Sequence, residues 1–516
     1  MKAYSILAVL ACSAALPCAR GEVKFADPFA DGVVLQRGRP VPVWGTAKPS
    51  SVVSLSFGGH EVSCTADADG RWRADLPPMD ACREGRELKA VELEPGFLFD
   101  SETSAATVSD VLVGDVWFVC GQSNTEFPLC GTNPHFRDRN GAAIASITRL
   151  PLVRFCYQSA YKCAETPKTK ACLPVRWQPF TPENLLEGHS FSAIGAYFAI
   201  YVHQATGVPL GLVGAYWGGT GIDPWTPREG TASRPDLKDI LDWKASLKWD
   251  GKNPKSVYPN TRVCDQAGVL WNEMVAPWCP FAIKGFLWYQ GCTNSREPER
   301  YCSKMHALYN GWSRKFGNPD LKLYFVQLAP WGFKGIATIQ EAQADFEREQ
   351  PNAGMAVIND IGNLTDIHPN EKGTVGLRLA RMALKRDYGF TDIEDRSPQL
   401  RSATVEGDTF VLTFDHARRL YLYNRDFTPV TPFEVAGADG VFKPAKIVNL
   451  QENKRRDGVI EYRGLIDGGP KLVVRAEGVD RPVRLRYCHS HPWLGTVYNE
   501  ANLPLAAFHV DAETAK

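Results

Sequence analysis

The chain predicts an α/β protein in which a parallel sheet, covered by helices on both faces, is flanked by two β-rich regions. Three observations carry this. Between residues 109 and 390, short apolar runs ending in glycine or polar residues alternate with stretches of helical periodicity. Before 109, short runs of β character are cut by Gly, Pro and Asp, with little helical pattern. Beyond 390 such runs return. The expected division is a leader over 1–19, a β-rich domain over 20–108, the α/β domain over 109–390 and a β-rich region over 391–516.

In chain order, MKAYSILAVLACSAALPCARG places one lysine before an apolar run that ends near Pro17-Cys18-Ala19. This is the pattern of a secretory signal cut close to Ala19, so the protein is expected to be exported, to the periplasm or beyond the cell. A lipid-modified start at Cys12 stays open. VVLQRGRPVPVWG, SVVSLSFGG, RWRADLP and ELKAVELEP then read as strands of an antiparallel sandwich, with Trp44 and Trp72 as packing aromatics rather than sugar platforms. VLVGDVWFVCG is a buried strand that GQSN breaks at residue 121, and ITRLPLVRFCYQ is a second, followed by a polar insertion through Ser190. FSAIGAYFAIYVHQATG suits an amphipathic helix ending at Gly207, and PLGLVGAYWGG the next strand. Residues 226–262 are broken, and only DLKDILDWKASLKW offers a helix there. IKGFLWYQG, LKLYFVQLAP and AGMAVINDIG are three more buried strands, and TVGLRLARMALKRDYG is the last helix. DTFVLTF, RLYLYNR, GVIEYRG, KLVVRAEG and PVRLRYC supply the C-terminal strands. Periodicity leaves open whether the two β regions are separate sandwiches or one shared sheet system.

At 516 residues and 44% apolar content, the chain has room for two or three ordinary cores. Its 58 basic and 58 acidic residues balance with no basic block, which argues against nucleic acid as a partner. No stretch after the leader is apolar enough for a membrane span. Cleavage after Ala19 removes Cys12 and Cys18 and leaves twelve of fourteen cysteines, an even number compatible with disulfides after export. No C-x-x-C pair occurs, which disfavours a zinc cluster, and Cys156, Cys163 and Cys172 are close enough to staple one insertion.

In a parallel sheet, ligands bind at the carboxyl ends of the strands. Those ends supply Ser123, Gly218-Gly219, Gln290-Gly291-Cys292-Thr293-Asn294 and, after the AVINDIG run, Asp366-Ile367-His368-Pro369. A serine hydroxyl needs an imidazole to remove its proton, a group to orient that imidazole, and donors for the oxyanion. His368 fits the base and Asp366 the orienting acid, with Asp360 as the other candidate. Asn294, the Ser123 N–H and one of the glycine N–H groups fit the oxyanion. Each has a bland reading: a solvated loop histidine, a turn-capping Asp366, a plain Gly218-Gly219 turn, an Asx cap at Asn294. Their occurrence at successive strand ends favours the chemical one.

Residues 121–125 read GQSNT and lack the second glycine of G-x-S-x-G, so the sharp nucleophile elbow does not apply. Instead the motifs resemble those of SGNH-type hydrolases, in particular the sialate O-acetylesterase family. GQSNTEFP resembles that family's GQSNMEFP, YWGGTGIDPW its WGGT block, WYQGCTN its WYQGESN, and DIHPNEKGTVGLRLA its DIHP block. FADGVVLQRGRPVPVWG and TVYNEANLPLAAF extend the resemblance over nearly the whole mature chain. It implies a flavodoxin-like three-layer α/β/α domain flanked by β-sandwich-like regions, and removal of acetyl groups from the glycerol side chain of sialic acid without metal or other cofactor. Ser123 would be the nucleophile, His368 the general base and Asp366 an acid of modest contribution. Gly218 or Gly219 and Asn294 would complete the oxyanion hole, and Gln122 and Gln290 would shape the pocket.

Two departures stand out. Cys292 replaces the family's usual glutamate, removing a charge and several acceptors beside the pocket, and Thr125 replaces a methionine. If the strands at 111–120 and 283–291 are neighbours, Cys120 and Cys292 could form a disulfide beside the nucleophile. Two other readings stay open: the same machinery acting on acetylated xylan or another glycan, and a non-catalytic carbohydrate-binding protein with a decayed site.

Overall fold

A computed structural model describes residues 22–94, 101–187, 191–239, 266–332, 334–423, 432–451, 463–489 and 493–512. The leader and most of the helical candidate at 236–249 lie outside these residues, as does most of GVIEYRG. Two compact units result: one of residues up to 26, 42–76 and 87–108, the other of 27–41, 77–86 and 109 onward.

Among the described residues, 22–94 form seven strands, β1 (Lys24–Phe25), β2 (Val34–Gln36), β3 (Val41–Thr46), β4 (Val52–Phe57), β5 (His60–Thr65), β6 (Arg71–Leu76) and β7 (Cys82–Glu94). Within the first unit, β1, β3 and β6 make one sheet, and β4 pairs antiparallel with β5 and β7. β6 alternates exposed and buried residues, as a strand with one wet face must. Trp72 is on its dry face, buried edge-on against Phe25 at 5.7 Å, and so is core.

The second unit is built on the part of the long strand β8 (Ser101–Gly121) from Ser109 onward, and the last eleven residues of that strand are all buried. The sheet continues with β9 (Leu150–Tyr157), β10 (Gln178–Phe180), β11 (Leu210–Tyr216), β12 (Gly285–Tyr289), β13 (Lys322–Val326) and β14 (Ala353–Ala356), in the order β10-β9-β11-β8-β12-β13-β14. Every pairing is parallel except that of β10 with β9. β11, β12 and β14 are buried at every residue, which explains why they read as continuous apolar runs rather than alternating ones.

Helices cover both faces. Trp117 and Phe118 are successive residues of β8 and point to opposite sides. Trp117 meets Phe198 of helix Ala193–Thr206 at 5.1 Å, while Phe118 meets Trp312 of helix Tyr301–Lys315 at 5.9 Å. Helix Lys372–Asp387 packs beside the first of these, and helix Ile336–Glu349 beside the second. Helix Ala193–Thr206 is capped by Ser192, which accepts from the Gly195 N–H, and ends at Gly207 in the left-handed conformation.

The C-terminal strands form a seven-stranded and a four-stranded sheet, all drawn from residues 399–511. One apolar core serves both, with Phe410, Leu412 and Leu485 from the larger sheet and Leu420, Ile466 and Val497 from the smaller. This region braces the loop after β14. The Asn359 side chain donates to Leu505 O at 2.7 Å, the Gly495 N–H donates to Asn359 O, and the Tyr498 hydroxyl donates to Asp360 at 3.3 Å.

Candidate active site

β8 ends at Gly121, whose φ of 142° no ordinary side chain adopts readily, and a Cβ there would sit 2.4 Å from Tyr289 O. The chain turns at once into a single helical turn, Ser123–Glu126, with Gln122 O accepting from the Thr125 and Glu126 N–H groups. Gly291, at φ 147°, makes the matching turn after β12. The two turns are tied together: Gln122 donates its N–H to Tyr289 O and accepts from the Gly291 N–H at 3.0 Å.

Across the sheet, the loop after β14 delivers His368. The Ser123 hydroxyl donates to His368 Nε2 at 2.9 Å, and His368 Nδ1–H donates to Asp366 Oδ1 at 3.2 Å, the tautomer that lets Nε2 accept. The same carboxylate oxygen accepts the His368 backbone N–H at 2.9 Å, so Asp366 fixes both backbone and ring. Phe127 stacks near the imidazole and Phe136 meets it edge-on at 5.2 Å. Asp360 instead forms a bidentate buried pair with Arg378, both contacts at 2.7 Å, and serves to hold the loop.

The glycines after β11 lie against Ser123. A Cβ at Gly218 would stand 3.3 Å from Ser123 Cβ. The Gly218 N–H already donates to Glu126 Oε2 at 2.7 Å, and Glu126 Oε1 accepts from the Tyr161 hydroxyl. Of the two glycines, Gly219 is the one whose N–H is not engaged by Glu126, and its φ of 74° is in the left-handed region that favours glycine. Asn294 is oriented by donors on its oxygen, from Gln290 Nε2 at 2.8 Å and the Ile222 N–H at 3.0 Å. Its amide hydrogens therefore point away from them, with one long contact of 3.4 Å to Glu297. Gln290 is fully buried and wholly used: it also donates to Thr220 O and accepts from the Tyr301 hydroxyl.

Cys120 and Cys292 are both free thiols, as are Cys156 and Cys172. β8 and β12 are neighbours, with Cys120 opposite Trp288, but the two sulfurs meet different surroundings. Cys120 lies beside Ala215 and Tyr216 of β11, whereas Cys292, beyond the Gly291 turn, lies near Tyr289, Tyr301 and Lys372. Burial pushes the Cys292 thiol up to about 12, so it is a neutral group where the motif usually carries a carboxylate.

Sequence reasoning overlooked Lys372, Asn124 and Glu126. Lys372 is fully buried, 2.5 Å from Asn124 Oδ1 and over the rings of Phe127 and Tyr289. Asn124 in turn donates to Ile367 O at 3.0 Å, joining the serine turn to the histidine loop. Burial lowers the Lys372 ammonium to about 7, with Asp138 among the groups that oppose the shift. Burial and the Lys372 charge hold His368 below the ordinary histidine range, partly offset by Asp366. Burial likewise raises the Glu126 carboxyl against the Tyr161 and Gly218 bonds. The available signal was position alone: Glu126 and Lys372 sit inside the GQSNTEFP and DIHPNEKG blocks.

The model of the carbohydrate esterase family described as sialic acid-specific acetylesterase matches residues 113–385. Human sialate O-acetylesterase is 25% identical over 438 residues, covering 78% of each chain, and the mouse enzyme is 25% identical over 448, covering 78% of this chain and 80% of its own. A carbohydrate acetylesterase from Xanthomonas citri has a similar solved structure, at TM-score 0.76 and 30% identity over 95% of this chain and 99% of that one. The chain therefore belongs to the sialic acid-specific acetylesterase family of carbohydrate esterases.

Proposed function

We propose that this protein is a serine esterase that removes O-acetyl groups from sialic acids of glycans through an acetyl-enzyme. The observation that carries the reading is the 2.9 Å contact between Ser123 Oγ and His368 Nε2, with Asp366 behind the ring. In the first step His368 takes the Ser123 proton as Oγ attacks the acetyl carbonyl. The oxyanion is received by the Ser123 N–H, the Gly219 N–H and Asn294 Nδ2, Gly218 being occupied by Glu126. His368 then gives its proton to the leaving sugar oxygen, and Ser123 holds the acetyl group. Water, deprotonated by the same imidazole, attacks the acetyl carbon, and His368 returns that proton to Ser123 Oγ as its bond to the acetyl group breaks and acetate leaves. The names of the family and of the curated relatives support sialic acid as the substrate. Cys292 keeps a second glycan in view, because a neutral thiol replaces a carboxylate there.

We further read the catalytic domain as flavodoxin-like: with β9 and β10 set aside as additions at the edge beyond β11, the strands β11, β8, β12, β13 and β14 follow the order 2-1-3-4-5 when numbered along the chain. Export is part of the same reading, on the lysine and apolar run of MKAYSILAVLACSAALPCARG. A fluorophosphonate tests the nucleophile: its adduct is expected on the Ser123 peptide of the native protein, and to be lost in His368→Ala. Labelling at another serine with Ser123 unmodified would overturn the assignment.

A further inference from the structure

Two neighbouring helices bring a thiol, an imidazole and a carboxylate together, and none of the three takes part in the site above. Cys302 and His306 are four residues apart on helix Tyr301–Lys315 and so share one face. Glu349 closes helix Ile336–Glu349, which packs against it. His306 Nε2 lies 2.8 Å from Glu349 Oε2, Cys302 Sγ lies 3.9 Å from the same oxygen, and all three donor atoms fall within 4.8 Å of one another. The imidazole is set edge-on to the buried Phe346 at 4.8 Å, which aims Nε2 at the carboxylate.

We propose that Cys302, His306 and Glu349 form a binding site for a divalent cation of the zinc class, with water completing a tetrahedron. His306 and the Cys302 thiol each hydrogen-bond to Glu349 Oε2, and these two contacts gather a sulfur, an imidazole nitrogen and a carboxylate oxygen at one point. Thiolate, imidazole and carboxylate together suit zinc and its neighbours, whereas magnesium and calcium take oxygen ligands. On binding, Cys302 releases its proton to solvent, neutral His306 offers the Nε2 lone pair, and Glu349 exchanges the imidazole contact for the metal. Asp345 adds negative charge nearby, although Arg348 pairs with it. The site would clamp two helices that also hold Gln290, through the Tyr301 hydroxyl and Gln343 Nε2. It would therefore stabilise the frame behind Asn294.

Cobalt(II) is the probe, because thiolate ligation gives it a near-ultraviolet charge-transfer band. Mature protein, reduced and stripped with a chelator, is expected to develop that band on titration with Co2+, saturating at one ion per chain and reversed by Zn2+. Cys302→Ser should abolish the band, and Glu349→Gln should weaken binding by about tenfold or more. Far-ultraviolet circular dichroism of each variant shows that it is folded. The cluster of Glu341, His489 and His509 contains no thiol and cannot produce the band. Absence of the band in the native protein, or its persistence in folded Cys302→Ser, would overturn the proposal.

Discussion

His368 must be neutral to accept the Ser123 proton, and its surroundings favour that form. Burial and the nearby Lys372 ammonium hold its pKa below 6.5, and Asp366, whose side chain is 40% exposed, offsets them only in part. Rising pH removes the imidazolium, so activity should be at its plateau above this lowered pKa and fall as pH drops through it. The acid limb of kcat/KM is thus expected below the ordinary histidine range. Lys372→Met deletes the repelling charge, raises the histidine pKa and should move that limb to higher pH. A limb that stays put or moves down would show that Lys372 does not tune His368. Ser123, Asn294 and His368 could be picked out as candidates because each lies beyond an apolar run that reads as a buried strand. Lys372 and Glu126 were not, because a lone charged residue reads as solvated until its partners are known. Ser123 and His368 themselves are 245 residues apart, and only the sheet order brings them together.

At the scale of elements, the geometry of the candidate site rests on strand ends and their braces. The loop carrying Asp366 and His368 is pinned by Asp360 and Arg378, which are both buried, and by Tyr498 from the C-terminal sheets. Removing one partner of such a pair leaves a buried charge without compensation, a loss of about 3–5 kcal/mol. Asp360→Ala and Arg378→Met should each lower unfolding free energy by about that much in denaturant titrations. They should also reduce turnover, although neither residue touches Ser123 or His368. A change below about 1 kcal/mol would mean that the pair is dispensable. The strands from β8 to β14 were readable because burial on both faces writes them as unbroken apolar runs. The role of Asp360 was not, since a loop aspartate before a histidine suits either an orienting acid or a loop anchor. The proposed Cys120–Cys292 bridge had the correct strand adjacency but not the side-chain directions, which depend on the Gly121 and Gly291 turns.

For the whole molecule, apolar runs alternating with helical stretches already pointed to an α/β core with β-rich flanks. Among the described residues no helix is long and apolar enough to cross a membrane. The terminal β regions were visible as strands, but their pairing was not, because short strands of similar composition admit many partners. The C-terminal region contacts the loop after β14 directly, through Leu505 to Asn359 and Tyr498 to Asp360. Sialic acid as the substrate is the central claim, and Cys292 is the residue that puts it at stake. The most direct measurement is acetate release by the mature protein from O-acetylated sialic acid, beside an acetylated xylose oligomer and the Ser123→Ala variant. The account predicts release from the sialic acid in preference to the xylose oligomer, reduced by about a thousandfold or more in the variant. Preferential release from the xylose oligomer would contradict the substrate, and a loss of less than about tenfold in Ser123→Ala would contradict the mechanism.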